Sequence, residues 1–460
     1  MRVPTRLVVA CCVLCLANLS YSQSAALSAA GAPAASPGYA QLPPVNVSTM
    51  PASFSLSGLT FDATTGAVVG GAGGKASITA NVNAASQPGN DDAFEIDAAS
   101  PNLPTIDGLN TLATFDGAFI DQAVGSSHAY RFTMIGNDPK LGGTTIIPAN
   151  FSEVSLQLLN ADGSVFTTVP FAPFEKLTLE SPNFEALNYR SGNQIEYADA
   201  VHRAQFYNVM KSNWHTLLTP KVVNAVTITV PRFVNVQLAN GNIIQARTYF
   251  TGTAADGSTF VLMLNLLFNF FFDTEVVNEI NLGNFTTNSI NTTIFPNTFL
   301  FSLNTANPNV PGGCCTLGFH TYFYQPATVP QPRWISQYVS WISPGLFGAG
   351  FQDVTALSHE TGEAFADPFI DNQTPVWQFP GQPAASTVCQ GNLEVGDPIE
   401  VLANATDPIE VKEGPFDYIY HPQNLALYQW FEMGATSTAI DGAFSFPNET
   451  VLPHSAIPCP

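Results

Sequence analysis

The residues best suited to chemistry stand together in Leu357-Ser358-His359-Glu360-Thr361-Gly362-Glu363-Ala364-Phe365-Ala366-Asp367-Pro368. The segment reads as about three turns of helix stopped by a proline. Helical positions i and i+4 share a face, so His359 and Glu363 can point at one object together. Glu360 stands roughly 100° round from His359 and can reach the same object from the side. This is the arrangement of an H-E-x-x-H helix with the second imidazole replaced by a carboxylate, two metal ligands with a general base between them. Charged residues make up only 11% of the chain, so His359, Glu360, Glu363 and Asp367 form an unusually concentrated polar group.

A catalytic zinc takes three protein ligands and keeps one position open. His359 and Glu363 supply two, and the third must come from downstream or from another element. Glu394 and Asp397, in Asn392-Leu393-Glu394-Val395-Gly396-Asp397, are the candidates, with enough chain between for a return to the helix. One imidazole with two carboxylates is harder and more negative than a two-histidine zinc set and weakens the metal as a Lewis acid. Zn2+ is the first expectation, with the harder Ca2+ or Mn2+ also compatible. The matching chemistry is hydrolysis of a peptide bond by a metal-activated water, with Glu360 taking the proton and passing it to the leaving amine. An oxyanion helper is also needed, and Tyr418, Tyr420 and His421 are candidates.

The pair SHETGEAFADPFIDN and GNLEVGDP resembles the SHExxExxxxP…E-[IV]-x-D pattern of the plant EXORDIUM/phosphate-induced secreted proteins, and is similar to secreted bacterial zincin-like proteins. Val376-Trp377 stands where that family carries an Asn-Ala-Trp-Tyr segment. The resemblance implies a zincin-like fold, with metal held by His359, Glu363 and Glu394 or Asp397, and Glu360 as acid/base. It covers about a third of the chain. Pro398 stands where the family has Leu, and the Cys that follows there is missing, with Cys389 just upstream. Gly362 inside the helix costs about 1 kcal/mol relative to Ala, so it points either to close approach of another element or to a degenerate site.

The elements around the motif must hold it. Ile195 to Lys211 carries apolar residues on one helical face, with His202 and His215 flanking its polar side. Strands are expected at Ala225–Val230, Phe233–Leu238, Ile243–Phe250, Thr259–Phe272, Phe299–Leu303 and Leu317–Tyr324, and a short helix at Trp334–Trp341. Helix, strands, then motif helix is the order of a zincin fold, with His320-Thr321-Tyr322-Phe323-Tyr324 as the edge strand lining the cleft. Further upstream, Val154-Ser155-Leu156-Gln157-Leu158, the turn Asn160-Ala161-Asp162-Gly163 and Val165 to Val169 form a hairpin of a small antiparallel sandwich. His128 there reads as structural.

The expected class is therefore α+β. A signal peptide over 1–22 leads to a low-complexity linker with weak strands over 23–104. A small antiparallel β domain follows over 105–184, then a zincin-like metal-binding domain over 185–460. Arg2 and Arg6 before the apolar Leu7–Leu19 read as an export signal, so the protein is expected to be extracellular or periplasmic. The glycine cluster Gly70 to Gly74 with Lys75 lacks the spacing and hydroxyl of a P-loop. A formal charge of −21 repels nucleic acid and anionic membrane. The run Phe260–Phe272 is too short to span a bilayer. Cys314, Cys315, Cys389 and Cys459 remain after the signal and allow three pairings, including one from Cys314 or Cys315 to Cys389. The partner is expected to be a peptide or protein substrate. The alternative is a non-enzymatic extracellular protein with a structural metal, or a glycan- or surface-binding role suggested by the Asn-, Thr- and Phe-rich composition. The sequons at Asn150 and Asn291 are of a kind that an Asn-rich chain produces by chance.

Overall fold

The computed structural model describes residues 39–41, 112–121, 129–188, 194–324, 332–379, 389–433 and 445–447, with 239, 348–349, 401, 403 and 414–415 excepted, together with 452 and 454. The export signal, most of 23–104, His128 and Cys459 lie outside these residues.

The site rests on one mixed sheet, built in chain order from β1 (Gly143–Leu159), β2 (Val165–Val169), β3 (Trp214–Val230), β4 (Ile290–Pro296), β5 (Gly318–Tyr324) and β6 (Arg333–Trp341). β1 and β3, 17 residues each, run parallel along nearly their whole length. β4 runs parallel to the other edge of β1, and β6 parallel to β4. β5 pairs antiparallel with β6 and closes the sheet edge. Parallel strands need covering on both faces, and α1 (Tyr197–Gln205), α2 (Asn265–Leu282) and α3 (Thr355–Ala366) pack against this sheet or one another.

Strand alternation sorts the two faces. On β5, Phe319 and Phe323 meet Phe272 of α2, with ring centroids 5.0 and 6.0 Å apart. His320 and Tyr322 point the other way, to the side occupied by α3, where Tyr322 meets Phe369 at 5.8 Å. Gln337 of β6, opposite His320 in register, likewise reaches Thr361 of α3.

Three sequence expectations are corrected. The apolar run after Thr259 is a strand only as far as Leu264, and α2 begins at Asn265. The buried positions Phe268, Phe272, Val276 and Glu279 recur at helical spacing, and Gly283, at φ 76°, ends the helix in the left-handed region. Trp334–Trp341, expected as a short helix, lies in the strand β6, whose β-branched and aromatic residues suit a place buried on both sides. The hairpin expected in a separate domain over 105–184 is β1–β2, and β1 lies within the same sheet as β4 to β6, so it shares the core of the metal-motif segment. No helix among the described residues is long and apolar enough to cross a membrane.

Candidate metal centre

α3 carries the motif, and all of its residues are buried. His359 and Glu363 converge, with Nε2 3.0 Å from Oε2. Gly362 is explained by close approach: a Cβ there would stand 2.4 Å from Leu425 Cδ1.

The start of α3 and Asp353 just before it capture the segment that follows residue 420. Asp353 accepts the His421 N–H at 2.8 Å and faces its Nδ1 at 2.8 Å, while Thr355 donates to the His421 carbonyl at 2.7 Å. Ser358 Oγ then accepts the Gln423 N–H at 2.7 Å, which sets the Gln423 amide beside His359. Gln423 Nε2 donates to the Gly396 carbonyl at 2.7 Å, so its Oε1, 3.0 Å from His359 Nδ1, must be an acceptor. His359 therefore carries a hydrogen on Nδ1 and turns Nε2 toward Glu363.

A second histidine is fixed in the same way. His320 Nε2 lies 3.0 Å from the Asp367 carbonyl oxygen, which can only accept. Its other nitrogen, Nδ1, stands 3.7 Å from both Glu360 Oε2 and Glu363 Oε2. Each ring thus spends one nitrogen on a carbonyl-type acceptor and presents the other to carboxylates.

The Glu394–Asp397 segment closes the centre. Glu363 Oε1 accepts the Gly396 N–H at 2.8 Å and the Asp397 N–H at 3.3 Å, which leaves Oε2 to the two rings. A Cβ at Gly396 would stand 2.6 Å from His359 Nδ1, so only glycine lets the backbone lie against the ring. Asp397 Oδ2 accepts from Gln390 Nε2 at 2.6 Å, and its Oδ1 is 3.7 Å from His359 Nε2. A Glu394 carboxylate oxygen lies within 4.8 Å of ligand atoms of His320 and Glu363. The structure therefore brings together all of His359, Glu360, Glu363, Glu394 and Asp397.

Two residues that sequence reasoning did not place here join them. His320 was expected only as part of an edge strand; its signal was a lone imidazole in an aromatic alternation. Glu400 has Oε1 3.7 Å from His359 Nδ1 and sits one short turn after Asp397. Burial alone would pull the His359 pKa down, but Glu363 and Glu360, with Glu400 further off, outweigh it and hold it well above the ordinary value. Asp367 takes a supporting place. Its Oδ1 accepts the N–H groups of Asp371 and Asn372 at 3.0 Å each, and burial, with Asp371 beside it, pushes its carboxyl up to about 8.

Other candidates are engaged elsewhere. The Tyr420 hydroxyl donates to the Leu177 carbonyl, Tyr418 packs on the Tyr420 ring at 4.6 Å, and His421 pairs with Asp353. His202 bonds the Ile135 carbonyl oxygen, and His215 pairs with Asp199. Cys314 and Cys315 are joined to each other, and Cys389 is in a separate disulfide, so no bridge runs from the 314–315 pair to Cys389. Asn150 and Asn291 are buried in strands, with Asn291 Nδ2 donating to the Ile335 carbonyl, which removes both sequons from the surface. The chain matches no protein-family model, no curated protein and no solved structure.

Proposed function

We propose that the protein is a secreted, zincin-like, metal-dependent hydrolase that cleaves peptide bonds, with the metal held by His359, Glu363 and His320 together with Glu394 or Asp397. The observation that carries this reading is the fixed state of the two rings. His359 Nε2 and His320 Nδ1 are turned toward carboxylates, and both face Glu363 Oε2. A neutral imidazole lone pair aimed at a buried carboxylate is unfavourable unless a proton or a metal ion stands between them. Histidines whose far nitrogen donates to a carbonyl or amide oxygen are typical of metal ligands. The donor set fits Zn2+ first and Mn2+ second, and His320 makes it richer in imidazole than the motif alone suggests.

A bound metal would supply Lewis acidity toward a carbonyl and toward water. Glu360, buried 3.7 Å from His320 Nδ1, is placed to hold a proton. In the peptidase reading it takes that proton from water and delivers it to the leaving amine. Gln423 and the Asp367 carbonyl keep the two rings in the ligating orientation throughout. Export rests on the N-terminal segment with Arg2, Arg6 and Leu7–Leu19.

One observation favours the second reading, a structural metal in a non-enzymatic extracellular protein. His320, Glu360, Glu363 and Glu394 are all at most 4% exposed, whereas a catalytic metal keeps a position open to substrate. Bound metal and hydrolysis of a peptide library, measured for the parent and for Glu360→Gln, separate the two. The hydrolase reading expects metal in both proteins and turnover lower by ~10²–10⁴-fold in the variant. A metal-loaded parent with no hydrolysis supports the structural reading instead.

A further inference from the structure

The two rings approach Glu363 from different supports. His359 is held by α3 and Gln423, while His320 is held by the edge strand β5 and the Asp367 carbonyl. Glu363 Oε2 is 3.0 Å from His359 Nε2 and 3.7 Å from His320 Nδ1. Ligand atoms around one ion with bonds of ~2.0–2.2 Å stand about 3.0–3.5 Å apart, so each of these pairs is close to one ligand edge. Asp397 Oδ1, at 3.7 Å from His359 Nε2, extends the edge on that side. On the other side, Glu394 joins His320 and Glu363 in a trio whose ligand atoms lie within 4.8 Å of one another.

We infer that the centre holds two divalent cations sharing Glu363, one at His320 and Glu394, the other at His359 and Asp397. This rests on the metal-binding reading above. Charge supports two ions over one. Glu360, Glu363, Glu394, Asp397 and Glu400 surround two imidazoles, and only Glu400 is more than marginally exposed. One divalent ion offsets two ionised carboxylates, and five carboxyl groups stand here, so a second ion still has carboxylates to engage. Buried charge of that size is costly unless a counter-ion shares the site. Carboxylate-bridged ion pairs about 3.5–4 Å apart are a recurrent solution for hydrolytic centres.

The test uses the full chain, stripped with a chelator and reloaded by dialysis against Zn2+ or Mn2+. Elemental analysis is expected to give two equivalents per chain, and the Mn2+ form to show an exchange-coupled electron paramagnetic resonance signal. His320→Asn is expected to lower the content to one equivalent and replace the coupled signal with that of an isolated ion. One equivalent in the parent, or two with isolated-ion signals only, overturns the shared centre and leaves the metal reading standing. No bound metal overturns both. The parent measurement decides the matter even if the variant fails to fold.

Discussion

His359 and His202 are equally well hidden, yet the fold gives them opposite characters. His202 on α1 bonds the Ile135 carbonyl oxygen and lies among the rings of Trp214, Phe365 and Phe206, with centroids 5.0, 5.1 and 5.8 Å away. Burial pulls its pKa down to about 4. For His359, one turn and a half before Phe365 on α3, burial has the same sense but loses to Glu363 and Glu360, and the pKa rises well above the ordinary value. Depth does not decide whether a histidine is core or ligand. The company of its second nitrogen does. One side of α3 packs apolar rings against α1, and the other gathers carboxylates around two imidazoles.

The largest effect that can break this contrast comes from Glu363→Gln. It removes the carboxylate that both rings face, so bound metal should fall by more than the ~10–100-fold typical of an outer partner, with any hydrolysis falling alongside it. Metal retained at parental affinity would show that Glu363 is not a ligand. A smaller loss is expected from Gln423→Leu, which frees His359 Nδ1 and the Gly396 carbonyl but leaves every ligand in place. Metal affinity should drop ~10–100-fold, read by competition with a chromophoric chelator.

The His202 side sharpens the contrast through stability instead. His202→Phe keeps an aromatic ring but leaves the Ile135 carbonyl without its donor, at a cost of about 1–3 kcal/mol in chemical denaturation, while metal content stays at the parental level. Loss of metal in this variant would tie the two regions together and contradict the division.

The mildest expected effect is on pH dependence of the metal-free protein. Burial pushes Glu196 up to about 8 and Glu153 to about 7, against ~4.3 in an unfolded chain. The folded state holds more protons on these groups, so their contribution is fully present below the unfolded value and is lost as pH rises through 7 to 8. His202 has the opposite sign, present above ~6.5 and lost as pH falls through about 4. Between pH 6.5 and 8 the buried carboxyls and His359, whose raised pKa carries the same sign, lose stabilisation together, and the melting temperature should decline by a few degrees, at ~2–4 °C per kcal/mol. A rise over that interval would contradict the sign.

The motif helix was legible because its evidence is local: i, i+4 spacing, and a proline two residues beyond Ala366. Glu394-Val395-Gly396-Asp397 was legible as a carboxylate source, but the reason for its glycine, contact with the His359 ring, exists only in three dimensions. His320 escaped as a ligand candidate because strand alternation says which face a residue takes, not what stands opposite. Phe268 to Phe272 read as a strand because an apolar run has no clear period until the polar residues beyond Phe272 show it. Trp334–Trp341 failed the other way, since a strand buried on both faces loses its alternation. The separate β domain was inferred from a hairpin whose local pattern was sound. The parallel partners that draw β1 into the main sheet lie far along the chain and leave no local mark.

The central claim is that two imidazoles and buried carboxylates bind metal here, and X-ray absorption at the zinc edge of the reloaded full chain tests it most directly. The expected result is a first shell of nitrogen and oxygen at ~2.0–2.2 Å with no sulfur, and clear imidazole outer-shell scattering, two rings for a single zinc or one for each of two. A spectrum with only oxygen neighbours and no imidazole scattering, or no retained zinc to measure, would contradict the account.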